Sequence, residues 1–117
     1  DTKKLYAKDA FFKDGYKEVK GVEAIETYFL ATAEAIVSCT FDITDVSVRD
    51  GNYYFRWVMN LTIKRDRDNP MEQIGMSHVR FAPDGKVVFH ADYWDTSIVF
   101  ERAPVIGSII RWAKEQF

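Results

Sequence analysis

Residues 75–95 read Gly75-Met76-Ser77-His78-Val79-Arg80-Phe81-Ala82-Pro83-Asp84-Gly85-Lys86-Val87-Val88-Phe89-His90-Ala91-Asp92-Tyr93-Trp94-Asp95. Alternating runs on either side of Asp84-Gly85 predict two antiparallel strands joined by a tight hairpin, because both central residues of such a turn must tolerate positive φ. A two-residue turn pairs Ser77 with Asp92, Gly75 with Trp94, Val79 with His90 and Phe81 with Val88, all on one face. That register sets a carboxylate across from a hydroxyl in apolar surroundings, a place where a proton could be moved.

Upstream, residues 41–65 keep the period of two, and Asp50-Gly51 predicts a second tight hairpin. Its register puts Val46, Val48, Tyr53, Phe55, Trp57 and Met59 on one face, with Leu61 continuing it. The opposite face pairs Asp45 with Arg56 and Ser47 with Tyr54, as suits an outer surface. Asn69-Pro70 closes the charged run Lys64-Arg65-Asp66-Arg67-Asp68, which reads as a solvated loop, before a strand over 71–81.

Before the strands, Gly21 precedes a helix with Val22, Ile25, Phe29, Ala33 and Ile36 on one stripe, widened by Ala24 and Tyr28. Leu5, Tyr6 and Ala7 read as the last turn of a helix cut short at the start, and 11–15 as a short extended piece ending in a turn. Pro104 opens a terminal amphipathic helix that carries Val105, Ile106, Ile109, Ile110 and Ala113 on one face. The expected fold is α+β: a strongly curved antiparallel sheet wrapped around helices to form a cone with a pocket, in one domain over 1–117.

The balance of 16 basic against 18 acidic residues gives no electrostatic footprint for nucleic acid. A lone Cys39 excludes an internal disulfide and paired-cysteine zinc sites, and fits a reducing compartment. No run has the apolar length of a membrane span, and the first residues hold no signal-peptide core. A cytoplasmic protein is the expectation.

The chain resembles the nuclear transport factor 2-like superfamily and, within it, the SnoaL-like group. The likeness is carried by Leu5-Tyr6-Ala7-Lys8-Asp9-Ala10, by Gly21-Val22-Glu23-Ala24-Ile25-Glu26-Thr27-Tyr28-Phe29 and by the hairpin from Val79 to Asp95. It implies a cone-shaped pocket, frequent homodimers, and a mixture of enzymes and non-catalytic binders. By similarity to ketosteroid isomerases, Asp14 stands where the general base lies, and Ser77 where a protonated aspartate donates to an oxyanion. By similarity to limonene-type epoxide hydrolases, Asp92 matches a catalytic aspartate, but Leu61 and Ile63 replace that enzyme's polar partners. The polyketide cyclases of this superfamily need less, essentially one acid/base carboxylate and a shaped pocket, so the resemblance to them survives the comparison better.

The candidate catalytic set is Asp92, Asp14, His90 and Ser77, and the candidate substrate-binding set is Trp57, Met59, Leu61, Gly75, Val79, Trp94 and Tyr28. Each has a plainer alternative. Asp92 could be a structural acceptor, His90 a satisfied core residue, Asp14 an ordinary Asp-Gly turn residue, and the apolar set simply core. Gly75 is expected to leave room for the Trp94 indole. Asp95 points away from His90 and Asp92 by strand alternation, so no metal site is expected, and no cofactor. The expected ligand is an apolar, cyclic small molecule, handled by proton transfer of isomerase or cyclase type. The rival reading is a non-catalytic dimerisation or partner-binding module.

Overall fold

A computed structural model describes residues 1–97. The helix expected from Pro104 to Phe117 lies outside them. In chain order the elements are α1 (Thr2–Leu5), β1 (Tyr6–Lys13), β2 (Glu18–Lys20), α2 (Val22–Glu34), β3 (Ile36–Arg49), β4 (Asn52–Ile63), a 3-10 turn (Lys64–Asp66), β5 (Met71–Phe81) and β6 (Val87–Trp94). The strands form one sheet in the order β2-β1-β6-β5-β4-β3. Neighbours run antiparallel except β1 and β6, which are parallel. This long-range pairing sets Phe12 beside His90, and alternation within a strand carries no trace of it.

The hairpins follow their turn chemistry, one as expected and one with a correction. Asp50 and Gly51 have φ of 52° and 77°, both positive as the tight two-residue turn requires. Asp45–Arg56, Ser47–Tyr54 and Val48–Tyr53 pair accordingly. At Asp84-Gly85 the loop is longer: the Ala82 N–H donates to the Lys86 carbonyl at 2.7 Å and the Gly85 N–H to the Ala82 carbonyl at 2.9 Å. Pro83 suits the first central position of a common turn and Gly85, at φ 88°, supplies the left-handed residue that follows. Phe81 therefore pairs with Val87 rather than Val88, and the register slips between Arg80 and Phe81. Beyond the slip Val79–His90, Ser77–Asp92 and Gly75–Trp94 pair as the alternation requires.

Register also shifts between Ile43 and Asp45 and between Ile36 and Ser38. Each such bulge adds local twist and bend, so the long β3–β4 ribbon curves instead of lying flat.

Gly21, at φ 90°, turns the chain from β2 into α2 while its N–H donates to the Ala10 carbonyl at 2.8 Å. Val22 and Ile25 are buried and Tyr28 and Phe29 half-buried, as the predicted stripe requires, but Ala24, expected to widen it, is exposed. Ala33 is exposed too, and Ile36 belongs to β3, where it pairs with Ile63. The β-branched Ile36-Val37 step favours strand once Ala35 has ended the helix. Tyr6 and Ala7 likewise open β1 instead of closing a helix.

Two apolar clusters result. One joins Trp57, Met59, Leu61, Ile63 and Met71 on β4 and β5; the other joins Tyr6, Ala10, Phe12, Val19, Val22 and Ile25 between β1, β2 and α2. No helix among the described residues is long and apolar enough to cross a membrane.

Candidate functional site

The polar residues of the inner face form one hydrogen-bonded chain that runs from the first cluster to the second. It begins at Trp57, whose indole lies across Gly75 of β5, its opposite residue. A Cβ at Gly75 would stand 2.7 Å from the indole Cζ2. The room expected for Trp94 is thus taken by Trp57, because the register sets Trp57 directly over the glycine while Trp94 packs at the cluster's margin. Gly75→Ala is expected to overpack this contact and cost about 1–3 kcal/mol, read from a lowered urea midpoint with unchanged slope.

Seated there, Trp57 donates its Nε1–H to Ser77 Oγ at 2.8 Å. An indole can only donate, so the serine proton is free to go onward. Ser77 Oγ donates it to Asp92 Oδ1 at 2.5 Å, and His90 Nε2 meets the same oxygen at 2.6 Å. The far ring nitrogen, Nδ1, lies 2.6 Å from Tyr6 Oη. Both contacts to Asp92 fall on Oδ1, and among the described residues no hydrogen bond reaches Oδ2. The Asp92 and His90 side chains are 22% and 20% exposed. Phe12 meets the imidazole edge-on at 5.0 Å between centroids.

Asp14 stands apart from that chain. Its Oδ1 accepts the backbone N–H groups of Tyr16 (2.8 Å) and Lys17 (2.9 Å), the turn expected of Asp-Gly. Its Oδ2 accepts the Tyr28 hydroxyl at 2.6 Å. All its oxygens are thereby engaged, so the structure sets Asp14 in a different position from Asp92. Burial, then Asp14, raises the Tyr28 phenol above its usual 10.0, and Asp92 adds to the shift. Burial and Asp92 do the same at Tyr6, and burial and Asp14 at Tyr16.

Such phenols favour the fold fully below the unfolded value and lose that contribution as pH rises through the folded one. Stability is therefore expected to hold up to about pH 10 and fall above it. Urea denaturation repeated at increasing alkalinity measures the slope, which Tyr28→Phe should make shallower.

Of the sequence candidates, Ser77, Asp92, His90 and Trp57 are joined directly, with Val79 buried opposite His90. Met59 and Leu61 lie in the packed first cluster, and Tyr28 bonds Asp14 rather than Asp92. Asp95 is fully exposed and accepts from Ser97, whose hydrogen bonds hold its carboxyl below the usual range. Tyr6 was not among the candidates, having been assigned to a helix end. Tyr6 is buried with Ala10 and Phe12, but Lys8 between them is exposed and the register against β6 shifts between Tyr6 and Phe11, so simple alternation does not reveal it.

Two clefts lie elsewhere. One of about 570 Å³ lies between Tyr54, Arg56, Ile74, Met76, His78 and Tyr93 of the outer face and is also lined by Gly75 and Ser77. The other, of about 510 Å³, lies between β2 and α2. Neither is lined by Asp92 or His90.

The described residues form an α+β arrangement of one six-stranded curved sheet with two helices. The SnoaL-like domain model matches residues 1–90, and the chain belongs to that family. A search of curated proteins finds no match. Among solved structures, a protein of ketosteroid isomerase-like fold from Catenulispora acidiphila, in complex with trimethylamine, superposes with a TM-score of 0.76 at 19% identity over 86% of this chain and 78% of that one. A candidate SnoaL-like polyketide cyclase from Jannaschia sp. CCS1 gives 0.75 at 12% identity, over 87% and 75%. A candidate isomerase from Bacillus subtilis gives 0.73 at 22%, over 85% and 76%. At these identities the likeness establishes the fold.

Proposed function

We propose that this protein binds an apolar, cyclic carbonyl compound on the inner face of its sheet and moves a proton at the carbon beside the carbonyl, as an isomerase or cyclase does. The observation that carries this reading is the asymmetry of Asp92. Ser77 and His90 hold Oδ1, which fixes the carboxylate plane, while Oδ2 remains to accept a proton from a ligand. Asp92 is then the general base and acid, Ser77 and His90 orient it, and Trp57, Val79 and Trp94 supply apolar contact. The saturated Asp14 and Tyr28 are assigned to holding the 14–17 turn against α2. Names among the similar structures, a candidate cyclase and a candidate isomerase, accord with this chemistry.

The test is a thermal-unfolding panel of apolar cyclic ketones against matched carboxylic acids, on the wild type and Asp92→Asn. A ketone at a hundredfold over its Kd should stabilise by about 2.7 kcal/mol. Matched acids should bind less well, since a second carboxylate would face Asp92. If no ketone raises Tm in either protein, the small-molecule reading falls.

One observation favours an additional role for the outer face. Ile74, Met76 and Tyr93 are 54%, 45% and 52% exposed around the larger cleft, a grouping suited to being covered by a second copy of the chain. Met76→Glu should then shift the protein toward monomer in light scattering, and an unchanged mass would count against a dimer through this face.

A further inference from the structure

We propose that Tyr6 is a positioning residue that fixes His90 as the neutral tautomer protonated at Nε2, so that the imidazole is a donor to Asp92 and takes no proton of its own. The inference rests on the reading above for its functional meaning, since it defines the charge of the group that works beside Asp92.

Asp92 Oδ1 already accepts the serine proton, and an ionised carboxylate has no proton to give, so the 2.6 Å contact from His90 Nε2 places a hydrogen on that nitrogen. The state of Nδ1 then depends on Tyr6. The Tyr6 hydroxyl has its hydrogen bond to Nδ1, at 2.6 Å, and among the described residues no other acceptor takes its proton. Were Nδ1 protonated, it would donate to the phenol oxygen and leave the phenol proton without an acceptor among the described residues in a buried site. Tyr6 is 9% exposed and sits in the second apolar cluster, where a stranded donor is costly. Burial, and Asp92 after it, also keep that phenol protonated.

The proton therefore lies on Tyr6 Oη, donated to Nδ1, and the imidazole is neutral. The consequence for the site is its charge. An imidazolium would neutralise Asp92 as an ion pair, whereas the neutral ring leaves the pair with a net single negative charge. That charge can take a proton from a carbon acid without an ion pair first being broken. The ring's tilt is set as well, by Tyr6 on one side and by Phe12 edge-on at 5.0 Å on the other.

Long-range proton–nitrogen correlation spectra of the ¹⁵N-labelled full chain at neutral pH read the tautomer directly. The chain has two histidines, and His78→Gln assigns the signals. His90 should show a pyrrole-type Nε2 and a pyridine-type Nδ1, and Tyr6→Phe, in which Asp92 still holds the Nε2 hydrogen but nothing donates to Nδ1, should shift Nδ1 toward the protonated pattern. A wild-type ring protonated at Nδ1, alone or together with Nε2, would overturn the proposal, as would a Tyr6→Phe protein with the wild-type pattern. Should that variant not fold, 3-fluorotyrosine labelling replaces it. The more acidic phenol should move the Nδ1 resonance, and an unmoved resonance overturns the role of Tyr6. No ligand is needed, so a failed ketone panel leaves this result standing, and a wrong tautomer leaves the panel standing.

Discussion

Trp57→Ala is expected to cost about 3–5 kcal/mol of folding stability, read as a lower urea midpoint at unchanged slope. The side chain is 4% exposed and joins Met59, Leu61, Ile63 and Met71 in the first cluster. Its removal opens a cavity over Gly75, which has no side chain with which to fill it. It also takes the indole N–H from Ser77. Trp57→Phe separates the two effects. It keeps most of the apolar volume and should cost only about 1–2 kcal/mol, mainly for the lost donor. Equal losses in both variants would mean that packing over Gly75 contributes little.

Asp92→Asn should reduce proton transfer by about 10²–10⁴-fold while changing stability by less than about 1.5 kcal/mol. The amide oxygen can still accept from Ser77 and His90 at the Oδ1 position, so the chain from Trp57 to Tyr6 keeps its contacts. What changes is the second position, where an amide donor replaces the oxygen that would receive the proton. Comparing kcat/KM for both proteins on a carbonyl compound found by the ligand panel, with thermal unfolding of each as control, tests the two halves together. Loss of rate with loss of fold would assign Asp92 to structure instead.

Much of this arrangement was legible from short-range rules. Asp50-Gly51 and the alternation around it fixed the β3–β4 register out to Asp45–Arg56, beyond which bulges shift it, and the pairing of Ser77 with Asp92 followed from Asp84-Gly85 although the turn itself holds one more residue. The slip fell between Phe81 and Arg80, at the turn end, and so left the site unaltered. Contacts that depend on strand order were not legible. The parallel pairing of β1 with β6 brings Phe12 to His90, and no periodicity within either strand encodes a neighbour so far away in sequence. Tyr6 was missed for that reason and because Leu5-Tyr6-Ala7 also fits a helix end. Gly75 pairs with Trp94 as expected, but which indole fills the space over it was misread because each central strand has two neighbours. Alternation named Trp94 on one side, but the indole that fills the space comes from β4 on the other. The two aspartates were separable only by their contacts: Asp14 has both oxygens occupied, and Asp92 has one.

The central claim is that Asp92 Oδ2 takes a proton from carbon, and hydrogen–deuterium exchange tests it without knowledge of the natural substrate. An apolar cyclic ketone that stabilises the wild type is incubated with it in D₂O, and loss of the proton signal at the carbon beside the carbonyl is followed by NMR. The account predicts exchange well above the buffer rate with the wild type, and a rate about 10²–10⁴-fold lower with Asp92→Asn. A bound ketone whose protons exchange no faster than in buffer, or equally fast with both proteins, would contradict it.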